Sequence, residues 1–456
     1  MAAVDQLVRH IVDTTYDDLP ASVLEPTKVQ ILDTVGVAVA GTWLGALNPL
    51  IDLVKEQGGE KEATILVYGD KVPASNAAMV NGYLGAVLDY EDTHSRCGVH
   101  ISTAIVMPGF AMAEHIGGIN GKDFMAVVAL GFDLTARLGR AHTPKLQPGC
   151  FYPSASKYFG AAAVSGKLLN LSEAKMRNAF GIVMEEASVG MVGYREGATS
   201  KGANSGFSSR AAVTTALLAE RGMTGDSDPI EGPNGLYLGL HNKCIPEILT
   251  VDLGKDYAGM THGMKLYPCC RNTHNALDAT LALVREHDIK PGDVTEVVIY
   301  IGPGALWMFQ PEDRKYKPAN RTQCQFSMPW TIASAIIHGK LGIDNFTEQA
   351  VRDKRTLDLA QRVIYKLEPE FASAITTEPT VVEIRMKGGE VYSKRVDACL
   401  GTSQNPASWG VVVDKFRDCC AHSIKPIPQG SVDKVVRMVE SLEDVADATE
   451  IVRLLA

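Results

Sequence analysis

No stretch of about 18 uninterrupted apolar residues runs through this chain, so a membrane-spanning helix is not expected. No C-x-x-C pair occurs among its nine cysteines, whose spacing is irregular, with Cys269-Cys270 and Cys419-Cys420 adjacent. That pattern suggests neither a zinc site nor a disulfide framework, and reduced thiols in a cytoplasmic setting are the expectation. Positive charge is not in excess either. Lys and Arg number 44 against 53 Asp and Glu, a net charge of −9, with pI near 5.7. This argues against nucleic acid, which favours basic faces, but leaves room for a local cationic pocket around an anion. The N-terminus MAAVDQLVRHIVDTTYDDLP lacks the basic start and apolar core of a signal peptide and reads as an amphipathic helix. Two further absences remove reaction classes. No G-x-S-x-G elbow is present, and the glycines of GYREGATSKGANSG and GPGALWM lack the G-x-x-x-x-G-K-[ST] spacing or context of a phosphate loop. His94, His100 and Asp92 have no further His or Glu partner at helical spacing, so neither a metal nor another cofactor is expected.

What is present is organised in two styles. At 456 residues the chain exceeds one simple core, which makes two domains the prior. Up to about residue 260 the periodicity is helical, as in Val29, Leu32, Val35 and Val39 or Val127, Leu130, Leu134 and Leu138. Abundant Gly and Ala in FGAAAVSG and SGFSSRAAVTTALLA permit close helix packing, and Ala63 to Tyr68 reads as one extended exception. Beyond Gly259 the pattern changes. DVTEVVIYIG alternates as a strand, TVVEIRMKGGEVYSKRV reads as a hairpin turning at Gly388-Gly389, and helices are expected near 273–284, 329–338 and 348–353. From Trp409 the chain returns to helix, with 432–452 amphipathic. The expected fold is mainly α: a large all-α helical domain over 1–260 and 405–456, with an inserted smaller α+β lid domain over 261–404.

The densest chemistry lies in Leu88-Asp89-Tyr90-Glu91-Asp92-Thr93-His94 and His100-Ile101-Ser102-Thr103-Ala104. Within the thirteen residues from Leu88 to His100, three carboxylates, two histidines and a threonine fall between small apolar runs that read as buried helices. Burying such groups costs free energy unless they pair with each other or with a ligand, and clefts where they meet give acids and bases useful pKa values. His100 is the acid/base candidate. It precedes Ser102-Thr103, which can cap a helix beginning near Ala104, and a histidine at a helix N-terminus stays neutral. Glu91 and Asp92 read as helix caps or arginine partners. Lys201, between Gly and small polar residues, reads as a loop lysine aimed at a ligand. Arg271 is open between clamping a carboxylate bidentately and an interdomain salt bridge.

The phrases DTVGVAVAG, AAMVNGYLGAVLDYEDTH, YPSASKYFGAAAVSGKLL, EGATSKGANSGFSSRAAVTTALLAERGMTG and KLYPCCRNTHNALDA, in this order, resemble the MmgE/PrpD family over nearly the whole chain. That family includes 2-methylcitrate dehydratases, cis-aconitate decarboxylases and an iminodisuccinate epimerase. The resemblance implies a cofactor-independent, cytoplasmic, homodimeric enzyme on a small di- or tricarboxylate, acting by proton abstraction α to a carboxylate. It assigns Asp89 to orienting an imidazole or moving a proton, and Thr93 to a substrate carboxylate. His100 matches the family histidine, Lys201 a carboxylate-binding lysine and Lys265 a second active-site lysine. Where many relatives carry a histidine this chain has Tyr152, a phenol that donates well but is a poor base. A second family histidine is replaced by Cys270, and a later tyrosine aligns with Trp330. Dehydration of a 2-methylcitrate-like hydroxyacid is the nominal reading. An epimerase or isomerase with Tyr152 opposite His100 or a lysine, a decarboxylase, and a carboxylate-binding protein without turnover are the alternatives.

Overall fold

The computed structural model describes residues 2–43, 45, 47–142, 152–190, 193, 197–240, 243–372 and 378–456, with the Tyr152 side chain outside that description. The fold is mainly α. Helix α1 (Ala3–Asp13) is amphipathic as its sequence predicts, burying Val4, Leu7, Val8 and Ile11. Helix α2 (Ala21–Ala40) is apolar nearly all round and is buried on nearly every side, the behaviour of a central helix. There follow α3 (Asn48–Gln57), α4 (Ala74–Ala86), α5 (Ser102–His115), α6 (Gly121–Arg140), α7 (Ser156–Leu168), α8 (Glu173–Met184) and a long helix Ala203–Glu220. Small residues set the spacing, as the composition foretells. A Cβ on Gly206 would stand 2.6 Å from the Met79 carbonyl, and one on Gly160 2.7 Å from that of Gly131. No helix among the described residues is long and apolar enough to cross a membrane.

The expected extended segment at 63–68 shrinks to a two-residue pairing of β1 (Ala63–Thr64) with β2 (Lys71–Val72). A second short ladder joins β3 (Thr93–His94) to β4 (His262–Gly263). Among the described residues the largest sheet has four strands, in the order β6-β5-β7-β8. Its inner strand β5 (Val294–Ile301) pairs parallel with β6 (Val363–Leu367) and antiparallel with β7 (Thr380–Met386), which turns through Gly389 (φ 93°) into β8 (Val391–Val396). Helices His274–Glu286 and Met328–His338 pack against it around a core that includes Val297, Ile299, Trp330 and Val382. The helices Trp409–Ala421 and Gln429–Glu440 join a separate core built on α2, α4, α5 and α6, through Val412, Phe416 and Val435. The expected long helix over 432–452 is broken at Ser441, after which a 3-10 turn and the short helix Glu450–Leu454 finish the chain.

Candidate active site

The site begins where α4 ends. Asp89 takes a left-handed backbone conformation (φ 53°), one of five non-glycine residues with positive φ among the described residues. Asp is among the few side chains that accept this region. The conformation tucks its carboxylate inward, where it is fully buried. Lys201, in the 3-10 turn Thr199–Gly202 that leads into Ala203–Glu220, bonds Asp89 Oδ1. Gly202 lets that turn lie on α4, since a Cβ there would meet the Tyr83 ring at 2.8 Å. Lys265, just past β4, donates to Asp89 Oδ2 at 2.9 Å and to the Asp89 carbonyl at 2.8 Å. Burial alone would raise the Asp89 pKa. Lys201 and Lys265 outweigh it and hold the carboxyl ionised, well below the usual range.

His100 closes the cluster. Its Nδ1 lies 2.8 Å from the Asp92 carbonyl, an oxygen that only accepts, so Nδ1 carries the proton and Nε2 the lone pair. Thr93 Oγ1 sits 3.4 Å from the same nitrogen and Glu91 Oε1 3.5 Å. Burial first, then Lys265 and Lys201, hold His100 well below its ordinary pKa despite the opposing Asp89. The imidazole is therefore neutral, as expected, although the cause is burial and lysine charge. The capping expectation is corrected. Helix α5 starts at Ser102, and its cap is the Asp92 carboxylate, which accepts from Ser102 N at 2.9 Å, Ser102 Oγ at 2.7 Å and Ile101 N. Asp92 thus fixes the helix end with its side chain and the His100 tautomer with its carbonyl.

Glu91 does not cap a helix. It lies buried in the cluster, 3.6 Å from Lys201, with Oε2 lacking a hydrogen-bond partner among the described residues. Burial, partly opposed by Lys201 and Lys265, pushes its pKa up. Ligand atoms of Asp89, Glu91 and His100 fall within 4.8 Å of one another, a trio that linear spacing did not reveal. Two ammonium groups already neutralise Asp89, however, and their charge opposes a divalent cation in the same place. His94 is fully used as a pin: Nε2 faces the Ala258 carbonyl at 2.9 Å and Thr261 Oγ1 at 2.7 Å, while Nδ1 accepts from Arg96 N and Cys97 N.

Arg271 and Trp330 fall apart from this group. Arg271 spends its guanidinium on the Gly263 and Met264 carbonyls at 2.7 and 2.8 Å and on Cys399 Sγ, which ties β4 to the next segment instead of clamping a ligand. Trp330 lies in the sheet-side core against Phe346 and takes no part in the cluster. Cys270 belongs to the same core but lies near enough to Asp89 and Lys265 to feel their charge, and burial pushes its thiol up to about 11. The Tyr152 backbone opens the 3-10 turn Tyr152–Ala155, and its side chain lies outside the described part. Lys157 on α7 was missed. It is buried, bonds Ser205 Oγ at 3.3 Å and interacts with Glu91, Lys201 and Asp92. The signal was available: one lysine inside SASKYFGAAAVSG, a run otherwise small or apolar.

The model for the MmgE/PrpD N-terminal domain matches residues 5–247, and that for the MmgE/PrpD C-terminal domain matches 267–441. This chain belongs to the MmgE/PrpD family. Relatives within reach are named cis-aconitate decarboxylases. The Homo sapiens protein is 23% identical over 446 residues, covering 95% of this chain and 90% of its own length. That of Mus musculus is 24% identical over 452 residues, with coverage of 96% and 90%. That of Aspergillus terreus (strain NIH 2624 / FGSC A1156) reaches 26% over 469 residues, with 96% and 93%. Like them, this MmgE/PrpD chain is an enzyme of the decarboxylase, lyase or isomerase kind.

Proposed function

We propose that the protein is a cofactor-independent lyase that works on a small di- or tricarboxylate by moving one proton on the carbon beside a carboxylate. The observation that carries this reading is His100, a neutral imidazole whose Nδ1–H is spent on the Asp92 carbonyl, so that Nε2 is the base. His100 Nε2 takes the α-proton. The electron pair passes onto the carboxylate oxygens, and the positive field of Lys201 and Lys265 favours the charge that develops there. In the dehydratase version that pair then forms a carbon–carbon double bond as a β-hydroxyl leaves as water, protonated by an acid. Residues 261–404 are read as the smaller domain, which brings Lys265 to the helical residues of 1–260, and a cytoplasmic homodimer completes the reading.

The names of the relatives favour a second version, decarboxylation of a cis-aconitate-like tricarboxylate. The bond to the departing carbon dioxide breaks, and its electron pair ends in a new carbon–hydrogen bond. The proton for that bond comes from a donor other than resting His100, which is unprotonated, and Tyr152 is the proposed donor. Incubation of the protein in D₂O with 2-methylcitrate, cis-aconitate and iminodisuccinate separates the versions. A new ultraviolet-absorbing alkene from 2-methylcitrate identifies dehydration, carbon dioxide release decarboxylation, and deuterium uptake without net loss epimerisation. Absence of all three signals overturns the proposal.

A further inference from the structure

The two lysines that the sequence offers to a substrate carboxylate are already committed. Lys265 gives two hydrogen bonds to Asp89, and Lys201 bonds Asp89, approaches the Ala86 carbonyl at 3.4 Å and lies over the Phe326 ring. Lys157 is different. Its ammonium has three protons to donate, and its one hydrogen-bond partner among the described residues is the neutral hydroxyl of Ser205, at 3.3 Å. The residue is 4% exposed. An ammonium so buried and so poorly matched is costly to keep unless a negative group meets it in the working state. The charged neighbours it feels are Glu91, Lys201 and Asp92, and it acts in turn on His100, which places it on the rim of the same cluster. Glu91 contributes the other unmatched atom, its buried Oε2. Helix α7, which carries the lysine, packs along the helix Ala203–Glu220, which carries Ser205.

We propose that Lys157 is the cation that receives a carboxylate of the substrate, while Lys201 and Lys265 serve Asp89. This rests on the carboxylate reading above and deepens it. It assigns the site a substrate with one carboxylate at the Lys157 end and its acidic carbon at His100 Nε2. Lys201 and Lys265 then act as positioning residues that keep Asp89 ionised and the loop 89–94 in place.

Citrate titrated calorimetrically into the full-length protein at pH 7 tests it. Lys157→Met should bind citrate roughly ten- to hundredfold more weakly, the worth of one hydrogen bond to a charged group, and Lys157→Arg should recover part of the loss. Lys157→Gln repeats the measurement with a polar side chain should the methionine variant not fold. In the unmodified protein, citrate affinity should fall as pH rises through about 8, where burial places the Lys157 pKa, and Lys157→Met should lose that dependence. Citrate binding by the unmodified protein with equal affinity in Lys157→Met or Lys157→Gln overturns this assignment alone. No citrate binding by the unmodified protein overturns the carboxylate reading and this inference together.

Discussion

Two aspartates of this protein are buried against lysine, one bonded by a single ammonium and the other by two. Asp33, on α2, meets Lys415 of the helix Trp409–Ala421 at 2.6 Å. Asp89 meets Lys201 and Lys265. Burial raises the pKa of both. At Asp33 a single lysine does not compensate, and the net shift is upward. At Asp89 the second lysine tips the balance downward. The surrounding charges decide the direction of each shift, since both are equally dry: Asp33 also feels Asp92, which raises it, and Arg271, which lowers it, whereas Asp89 has a second bonded lysine. The Asp33 pair is nevertheless tied to the site. Lys415 also donates to the Tyr90 carbonyl at 3.0 Å and sits 3.9 Å from the centre of the Tyr90 ring. One pair fastens the loop from behind, and the other sets its reactivity.

The comparison breaks most visibly on the reactive side. His100→Ala should lower kcat by roughly 10²–10⁴ with the fold intact, the usual worth of a positioned base. An unchanged kcat would make His100 a structural residue. Next come the lysines. Lys415→Met removes the ammonium bonded to Asp33 and should cost about 3–5 kcal/mol in denaturant unfolding. Lys265→Met leaves Asp89 with Lys201 and should cost less, yet remove more activity. The reverse order on either measure would mean that counterion number is not what distinguishes the pairs.

Lys157 sharpens the same point by pH. Burial lowers its pKa from 10.5 to about 8. Between those values the unfolded chain holds the extra proton, so stability rises with pH across that window. Below pH 8 the folded state carries the whole penalty. Lys157→Met should therefore melt higher than the unmodified protein at pH 7, by on the order of a few degrees, and the gap should close as pH approaches 10.5. A gap that stays constant with pH would show that Lys157 is matched by charges other than those described. The smallest expected effect is that of a chelator. EDTA should leave turnover unchanged, and recovery of lost activity by added zinc would reassign Asp89, Glu91 and His100 as ligands.

Much of this was legible in the sequence for reasons that can be named. The β7–β8 hairpin carried its own turn glycines, and α2 and α6 their periodic apolar residues. The cluster at 89–100 stood out because polar groups between apolar helices need partners. Asp92, read as a cap, does cap α5, although the helix it serves starts two residues earlier than Ala104 suggested. The failures share a cause. Arg271 and Lys157 are each a single cation in a chain with 44, and their roles depend on which carbonyls and hydroxyls tertiary packing brings to them. The β3–β4 ladder is two residues long, too short for any alternation to announce it. Glu91 was adjacent to the right residues, and only the turn after Asp89 decides that it points inward.

Asp89 and Lys265 are 176 positions apart in the chain, and Asp89 and Lys201 are 112 apart. Contacts of such range close only after much of the chain entropy has been spent. A half-folded molecule therefore holds a lone anion at Asp89 and a mis-poised base at His100, and it is chemically silent. Turnover is in effect a receipt for complete assembly: among all signals of refolding, catalysis should return last.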